Sequence, residues 1–172
     1  MTSEQQRQRP PAGNRLARMV AWCQRLPQSW QPFLLSRLFN SVVKFAGTAG
    51  IRITQASAQR VVVQLRNRRR VQNHIKGVHA AAMALLGETA SGLVFGLSVP
   101  DDKIPLLKSM HVDYLRRAEG NLYAEASLSA EQVATIGRAD KGELEVTVVI
   151  TDDAGEQPLT ARYVWAWVPK KR

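Results

Sequence analysis

The sequence predicts an α+β fold in which an antiparallel sheet curls around one long buried helix. Residues 73–92, NHIKGVHAAAMALLGETASG, lead into a helix that is apolar on nearly every side, and such a helix must be buried on most of its faces. Further along the chain, segments that alternate apolar and polar residues are separated by short glycine-containing turns, which is typical of consecutive antiparallel strands. A chain of 172 residues with 45% hydrophobic content is long enough for one such domain and short for two.

At the N-terminus, the sequence predicts a tail followed by two helices. Residues 1–14 are polar and rich in turn-forming residues, so we expect disorder there. Residues 15–26 place apolar side chains at helical spacing, and residues 30–47 predict a second amphipathic helix. We therefore assign residues 15–46 to helices that cover the sheet. Because they are basic and aromatic, the alternative is that they lie on a membrane surface.

The remainder, residues 47–172, predicts the core of a single domain that spans residues 15–172. Two strands are expected at IRITQAS and RVVVQLRN, and the apolar helix is expected over residues 78–99. Four more strand segments follow it: LLKSMHVDYLRR, NLYAEASL, ELEVTVVITD and LTARYVWAWVPK. The turns between these strands are expected at Gly120, Gly142 and Gly155.

The chain is strongly basic, with a formal net charge of +10. Such an excess favours anionic partners, namely nucleic acid, acidic lipid or a polyphosphate ligand, although a solvated basic surface is the simpler alternative. The sequence carries no helix-turn-helix, zinc-finger or RNA-recognition signature, so we expect no nucleic-acid partner. No cluster of residues has metal-ligand spacing, so no metal is expected either.

The only cysteine, Cys23, excludes an intrachain disulfide and favours a reducing compartment. No apolar run is long enough for a transmembrane helix, and the first residues lack the apolar segment of a signal peptide. These observations predict a cytoplasmic protein without a membrane span, for which peripheral contact with a membrane is possible.

Among the polar residues of this stretch, Asn73, His79 and Glu88 are the candidate site residues. Glu88 has the fewest structural explanations, because an unpaired carboxylate on an apolar helix is costly; a functional group and a buried ion pair are the two alternatives. Asn73 alone is equally consistent with a residue that caps a turn, and His79 alone with a histidine bonded to the backbone. On one continuous helix, His79 and Glu88 lie about 13.5 Å apart along the axis and half a turn out of phase. They could share a site only if two such helices lay antiparallel across a two-fold axis.

The segment NHIKGVHAAAMALLGE resembles the Asn-x-x-Gly-x-x-His-Gly-Gly…Asp/Glu signature of hotdog-fold acyl-CoA thioesterases of the phenylacetate-pathway type. Asn73, His79 and Glu88 fall at the family's spacing, while Ala80 and Ala81 stand where the two glycines are usual.

A second segment, MHVDYLRRAEGNLYAEASL, resembles the next strand pair of that family, with Arg117 in the usual proline position. The resemblance extends over roughly residues 40–168. It is closest to a mostly uncharacterised bacterial branch of hotdog proteins. It implies a hotdog fold and an isologous dimer, or a dimer of dimers, in which each site draws on both chains.

The resemblance also implies roles for the polar residues. Thioester hydrolysis needs a base or nucleophile, for which Glu88 is the candidate, and burial would raise its pKa toward neutrality. The helix start, from Gly77 onward, presents unpaired backbone amides, and the N–H of Ala80 is the candidate oxyanion donor. Asn73 would orient the attacking water or the carboxylate, and His79 would bind the thioester carbonyl or position the loop.

Coenzyme A would be present only as part of the substrate, and no other cofactor is expected. Its phosphates would suit a basic rim, for which a solvated charged edge is the alternative. The candidates for that rim are Arg69, Arg70, Arg116, Arg117 and Arg138. The sequence therefore favours a cytoplasmic homodimer that hydrolyses acyl-CoA thioesters. The alternative is a protein of the same fold that binds acyl-CoA or a fatty acid without hydrolysing it.

Overall fold

The computed structural model describes residues 14–171, in which six strands form one antiparallel sheet. The strands are β1 Arg52–Ala56, β2 Arg60–Leu65, β3 Lys103–Tyr114, β4 Leu122–Ser127, β5 Gly142–Asp152 and β6 Leu159–Pro169. Their spatial order is β1-β2-β4-β5-β6-β3, and all five neighbouring pairs are antiparallel. The helices are α1 Arg15–Cys23, α2 Gln31–Val42, α3 Lys44–Ala49, α4 Ala80–Gly96 and α5 Ala130–Arg138.

The sheet wraps around α4, which contacts β2, β3, β4, β5 and β6. Two aromatic side chains of β6 lie directly on the helix backbone. A Cβ atom on Gly87 would lie 2.2 Å from the Tyr163 hydroxyl, and one on Gly92 would lie 2.7 Å from the Trp165 ring. The Tyr163 hydroxyl donates a hydrogen bond to the Ala84 carbonyl at 3.0 Å. This close packing requires glycine at both positions, and it confirms the predicted α+β fold with a sheet around one helix.

The first N-terminal helix begins at Arg15 as predicted, but it ends earlier than predicted, and the second helix is divided in two. The first helix ends at Cys23, and the second is interrupted at Val43, whose backbone (φ −91°, ψ 84°) is not helical. Two adjacent β-branched residues, Val42 and Val43, weaken the helix at this point. The central helix α4 is also shorter than predicted, because His79 serves as its N-cap.

Helix α5, between β4 and β5, is not predicted by the sequence analysis. Ser129 and Gln132 form a capping box at its start, in which each side chain bonds the other residue's backbone N–H. Gly142, expected in a turn, is instead the first residue of β5. Strand β3 pairs with β6 and not with its successor β4, so it lies at one edge of the sheet.

Helices α1 and α2 pack on the domain through buried residues that include Val20, Cys23, Leu35 and Phe39. Asn14, the last residue of the expected tail, is buried and caps α1; its side chain also donates to the Gly96 carbonyl at 2.6 Å. The rest of that tail, residues 1–13, lies outside the described residues. None of the helices within residues 14–171 is both long enough and apolar enough to cross a membrane.

Candidate functional site

The loop that precedes α4 is closed by Asn73. Its side-chain oxygen accepts hydrogen bonds from the backbone N–H groups of Ile75 (3.1 Å) and Gly77 (3.0 Å). The backbone N–H of Asn73 donates to the Gly77 carbonyl at 2.8 Å. A bridge between Gln72 and Val78 completes the loop. Asn73 therefore fixes the shape of the loop that delivers the chain to the start of α4.

The left-handed residue of this loop is Lys76, with φ of 63°. In the signature that the sequence resembles, a glycine follows the asparagine after two residues, and that position is Lys76 and not Gly77. Gly77 does not have a positive φ, and a Cβ atom there would lie 3.7 Å from the Asn73 side chain, an ordinary contact. The loop keeps the conformation that favours glycine but uses a lysine to adopt it.

His79 caps the first turn of α4. Its Nδ1 accepts a hydrogen bond from the Ala81 N–H at 3.1 Å, and its backbone oxygen accepts from Ala82 at 2.9 Å. Since Nδ1 is an acceptor, the proton of the neutral ring is on Nε2. These bonds leave the Ala80 N–H without a hydrogen-bond acceptor within the described part of the chain. Ala80 is exposed, and its carbonyl accepts a hydrogen bond from the Tyr114 hydroxyl of β3 at 2.8 Å.

Glu88 lies in the middle of α4 and is partly buried. Burial raises the pKa of its carboxyl above the usual value. Its carboxylate forms no hydrogen bond or ion pair with any of residues 14–171, although its backbone oxygen accepts from Ser91 at 3.1 Å. An unpaired, partly buried carboxylate lowers the stability of the folded state, and such a group is typical of a functional position.

A cleft of about 660 Å³ opens beside Glu88, between α1, α2, α4 and the start of β3. Its lining is mostly apolar and includes Leu16, Met19, Leu38, Phe39, Val42 and Trp165. Among the described residues, Glu88 and Arg15 are the only charged ones in that lining. Thr89 also lines it, and the buried Thr89 hydroxyl has no hydrogen-bond partner among the described residues. The cleft is suited to an apolar chain with a polar end near Glu88.

Within one protomer, Glu88 and the start of α4 are not brought together. His79 borders a smaller pocket of about 180 Å³, which shares Leu85 with the large cleft but does not include Glu88. Helix α4 is continuous from Ala80 to Gly96, so the half-turn offset expected between the two side chains is retained.

The five candidate arginines fall into three groups. Arg69 and Arg70 lie on an exposed 3₁₀ turn, and Arg70 borders the small pocket beside His79. Arg117 donates to the Ile75 carbonyl at 3.1 Å and so braces the loop before α4. Arg70 and Arg117 therefore lie near the loop that leads into α4, and Arg69 precedes Arg70 on the 3₁₀ turn.

The other two arginines are engaged in contacts elsewhere in the domain. Arg116 forms an ion pair at 2.7 Å with Asp152, whose side chain is fully buried. The charge of Arg116 is therefore already balanced by this carboxylate. Arg138 bonds the Ala134 carbonyl on α5, and the next residue, Ala139, accepts from Lys103 at the start of β3. The start of β3 is the opposite end of that strand from Tyr114, which marks the helix start.

Tyr114 and Thr89 are site residues that the sequence patterns do not predict. Tyr114 belongs to the YLRR segment that resembles the family, which was an available signal. Thr89 follows Glu88 directly, but nothing in its local sequence indicates that its hydroxyl has no partner.

Comparison with known proteins supplies the family. Residues 32–168 match the family model "Domain of unknown function (DUF4442)". The fold resembles a crystal structure from Pseudomonas aeruginosa, described as a protein of unknown function and probable thioesterase, with 24% identity and a TM-score of 0.71 over 84% of this chain and 97% of that chain. No curated protein sequence matches this chain.

Two further crystal structures are of proteins named thioesterases. One, from Haemophilus influenzae, has 14% identity and a TM-score of 0.63 over 78% of this chain and 90% of that chain. The other, a mutant of a Staphylococcus aureus enzyme, has 21% identity and a TM-score of 0.63 over 73% of this chain and 99% of that chain. At such identities the likeness shows the fold, which confirms the predicted hotdog architecture. The chain therefore belongs to the DUF4442 family and has the fold of the hotdog thioesterase-like superfamily.

Proposed function

We propose that this protein hydrolyses acyl-CoA thioesters, with Glu88 as the general base or nucleophile. The observation that carries the proposal is the Glu88 carboxylate, which is unpaired within residues 14–171, partly buried, and faces an apolar cleft of about 660 Å³. Burial raises the pKa of this carboxyl, which brings it closer to the pH at which a base works best. The fold shared with proteins named thioesterases supports the same reaction class.

The start of α4 supplies the second group that the reaction needs, a hydrogen-bond donor for the oxyanion. The Ala80 N–H is unpaired within the described residues and lies at the positive end of the helix, so it can stabilise the oxyanion that forms at the thioester carbonyl. Asn73 and His79 hold this amide in place. Arg70 borders the pocket beside His79, and Arg117 bonds the loop before it. Together with Arg69, they would bind the phosphates of coenzyme A, which enters only as part of the substrate. We expect the reaction to take place in the cytoplasm.

A homodimer would join the two halves. The outer edge of β3 is unpaired in the described residues, and exposed apolar side chains lie along or just beyond it: Ile104, Leu106, Met110 and Leu115. A long apolar edge strand is a template for pairing with another strand. A two-fold axis near Ser109, in the middle of β3, would pair this strand with its copy in antiparallel orientation.

This pairing would bring Glu88 next to the helix start of the other copy. Tyr114, at one end of β3, contacts Ala80, while Pro105, near the other end, lines the cleft beside Glu88. An antiparallel pair of β3 strands places the Tyr114 end of each copy beside the Pro105 end of the other. Each dimer would then hold two sites, and each site would combine Glu88 of one chain with the Ala80 amide of the other.

The alternative function is a binding protein of the same fold that holds acyl-CoA or a fatty acid without hydrolysis. Ala80 and Ala81 favour it, because they stand where the resembled signature has glycines and their side chains restrict the approach of a carbonyl to the backbone amide. The same apolar cleft would serve either function.

The test is hydrolysis of acyl-CoAs of increasing chain length by the purified protein, followed by thiol release. We expect Glu88→Gln to lower kcat by at least about 10²-fold with little change in KM, since glutamine keeps the shape but cannot accept the proton. Glu145→Gln, an exposed carboxylate on β5, is the matched control and should leave kcat unchanged. Hydrolysis by Glu88→Gln at the wild-type rate would exclude the catalytic role. Binding of acyl-CoA without turnover at any chain length would favour the alternative.

A further inference from the structure

The α2–α3 segment, residues 30–49, exposes an unusual number of large apolar side chains. They are Trp30 (67% exposed), Phe33 (65%), Val42 (76%), Val43 (36%) and Phe45 (64%). Scattered apolar residues on a surface need no explanation, but a concentration on one short segment marks an interaction site. The opposite side of the same helices is packed against the domain through Leu35 and Phe39, so the exposed residues do not take part in that packing.

A basic cleft of about 630 Å³ borders the same segment, and Phe33 lines it. Five arginines line this arginine cleft: Arg37, Arg52, Arg66, Arg68 and Arg70. Its lining contains no aspartate or glutamate, and none of the five guanidinium groups forms a hydrogen bond or ion pair within residues 14–171. Unpaired like charges in one concavity repel each other and attract anions.

We propose that the α2–α3 segment and the arginine cleft together dock onto an anionic lipid bilayer. The aromatic side chains would enter the boundary between headgroups and acyl chains, and the cleft arginines other than Arg70 would contact the lipid phosphates. Stable attachment to a membrane surface takes both an apolar and a basic contribution, and this surface offers both. The formal net charge of +10 favours the same orientation from a distance.

A second copy of the chain is a poorer occupant of this surface. An isologous contact would place the arginine cleft of one copy against, or close to, the same five arginines of the other, and like charges disfavour that arrangement. The exposed edge of β3 offers a second copy an apolar surface without this conflict.

The docking surface also borders the cleft that contains Glu88. Val42 and Val43 are exposed and at the same time line that cleft. An amphipathic ligand held in a bilayer could therefore move from the membrane into the cleft without crossing water. Membrane docking is independent of hydrolysis, which can be measured with short, water-soluble substrates.

The experiment is co-sedimentation of the full chain with vesicles of phosphatidylcholine alone or mixed with phosphatidylglycerol. We expect binding only to the anionic vesicles, and weaker binding as salt is raised. The variant Arg37→Gln/Arg66→Gln/Arg68→Gln should lower the partition coefficient by about 10²-fold, and Trp30→Ala/Phe33→Ala by at least about tenfold. The matched controls Arg162→Gln and Val149→Ala, exposed residues of the sheet, should bind as the wild type does.

Circular dichroism and hydrolysis of a short-chain acyl-CoA would show that each variant is folded. Three results would overturn the proposal: no binding to anionic vesicles, equal binding to neutral ones, or binding that the five substitutions leave unchanged. A change of oligomeric state in Trp30→Ala/Phe33→Ala without loss of vesicle binding would assign the surface to a second copy instead.

Discussion

Two carboxylates of this protein are shielded from water, but one is paired and the other is not. The Asp152 side chain is fully buried and accepts a hydrogen bond from Arg116 at 2.7 Å and three more from backbone N–H groups at 2.9–3.2 Å. Burial would raise the pKa of Asp152, but these bonds and the Arg116 charge hold it below its usual value. Glu88 is less buried and has no partner within residues 14–171, so burial alone raises its pKa.

The difference distinguishes a structural carboxylate from a candidate catalytic one. Asp152 links the segment around Arg116 to the turn after β5, and its side-chain oxygens accept their hydrogen bonds from groups of the protein itself. The Glu88 carboxylate and the Ala80 amide have no partner within residues 14–171, and a ligand can reach both. Substitutions at the satisfied site should therefore cost stability, and substitutions at the unsatisfied site should cost activity.

The largest effect is expected from Ala80→Pro. Proline is tolerated at the first position of a helix and lacks an N–H, and His79 before it already has the extended backbone that proline favours (φ −65°, ψ 140°). The substitution removes the proposed oxyanion donor and keeps the helix. We expect kcat to fall by about 10²–10³-fold with the melting temperature nearly unchanged, as measured by thiol release and thermal unfolding. Unchanged kcat would exclude this amide as the donor.

Asp152→Ala should destabilise the fold by about 3 kcal/mol, because it removes the close partner of the partly buried Arg116 and leaves it only the exposed Glu119, 3.7 Å away. Urea denaturation measures this change. Glu145→Ala, which removes an exposed carboxylate from the same strand, is the control and should cost less than about 0.5 kcal/mol. Activity per folded molecule of Asp152→Ala should equal that of the wild type; a loss of kcat at full folding would erase the contrast with Glu88.

A smaller effect is expected at Asn73, which positions the helix start without reacting. Asn73→Ala removes the acceptor of two loop hydrogen bonds, and we expect kcat/KM to fall by about tenfold. Asn73→Asp retains that acceptor and should recover most of the activity. If aspartate is as defective as alanine, the side-chain NH₂ of Asn73 acts on the substrate directly.

The smallest effect concerns stability at Glu88. A carboxyl whose pKa is raised in the folded state favours folding while it is protonated, and this contribution is lost as the pH rises through the folded-state pKa. At pH 7 the charged carboxylate is therefore a cost, and Glu88→Gln should raise the melting temperature by about 2 °C. Near pH 4 the two proteins should melt together. A lower melting temperature for Glu88→Gln at pH 7 would show that the carboxylate has a stabilising partner.

The sequence predicts those parts of the fold that depend on local pattern. The strands follow from apolar alternation, as in Leu122, Ala124 and Ala126 of β4, which are all buried. The long helix follows from an apolar composition that only a surrounding sheet can bury. The missed helix α5 also had a local signal, the Ser129 and Gln132 capping box, directly after the predicted strand segment NLYAEASL.

Other features depend on contacts between distant segments and were not predictable from one sequence. The pairing of β3 with β6 joins residues far apart in the chain, and so do the ion pair of Arg116 with Asp152 and the bond from Tyr114 to Ala80. In the candidate site, Asn73, His79 and Ala80 were predictable together because they are close in sequence. The cleft beside Glu88 was not, because α1 and α2 form much of its wall.

The central claim is that Glu88 of one chain works with the helix start of another. It is tested most directly by mixing the two inactive variants, Glu88→Gln and Ala80→Pro, under conditions that exchange subunits. In a mixed dimer, one site would carry both substitutions and the other neither, so we expect recovery of about a quarter of the wild-type hydrolysis rate at equal mixing. Recovery in the mixture, with each variant inactive alone, is the predicted result. A mixture that exchanges subunits and stays as inactive as its components would contradict the shared site.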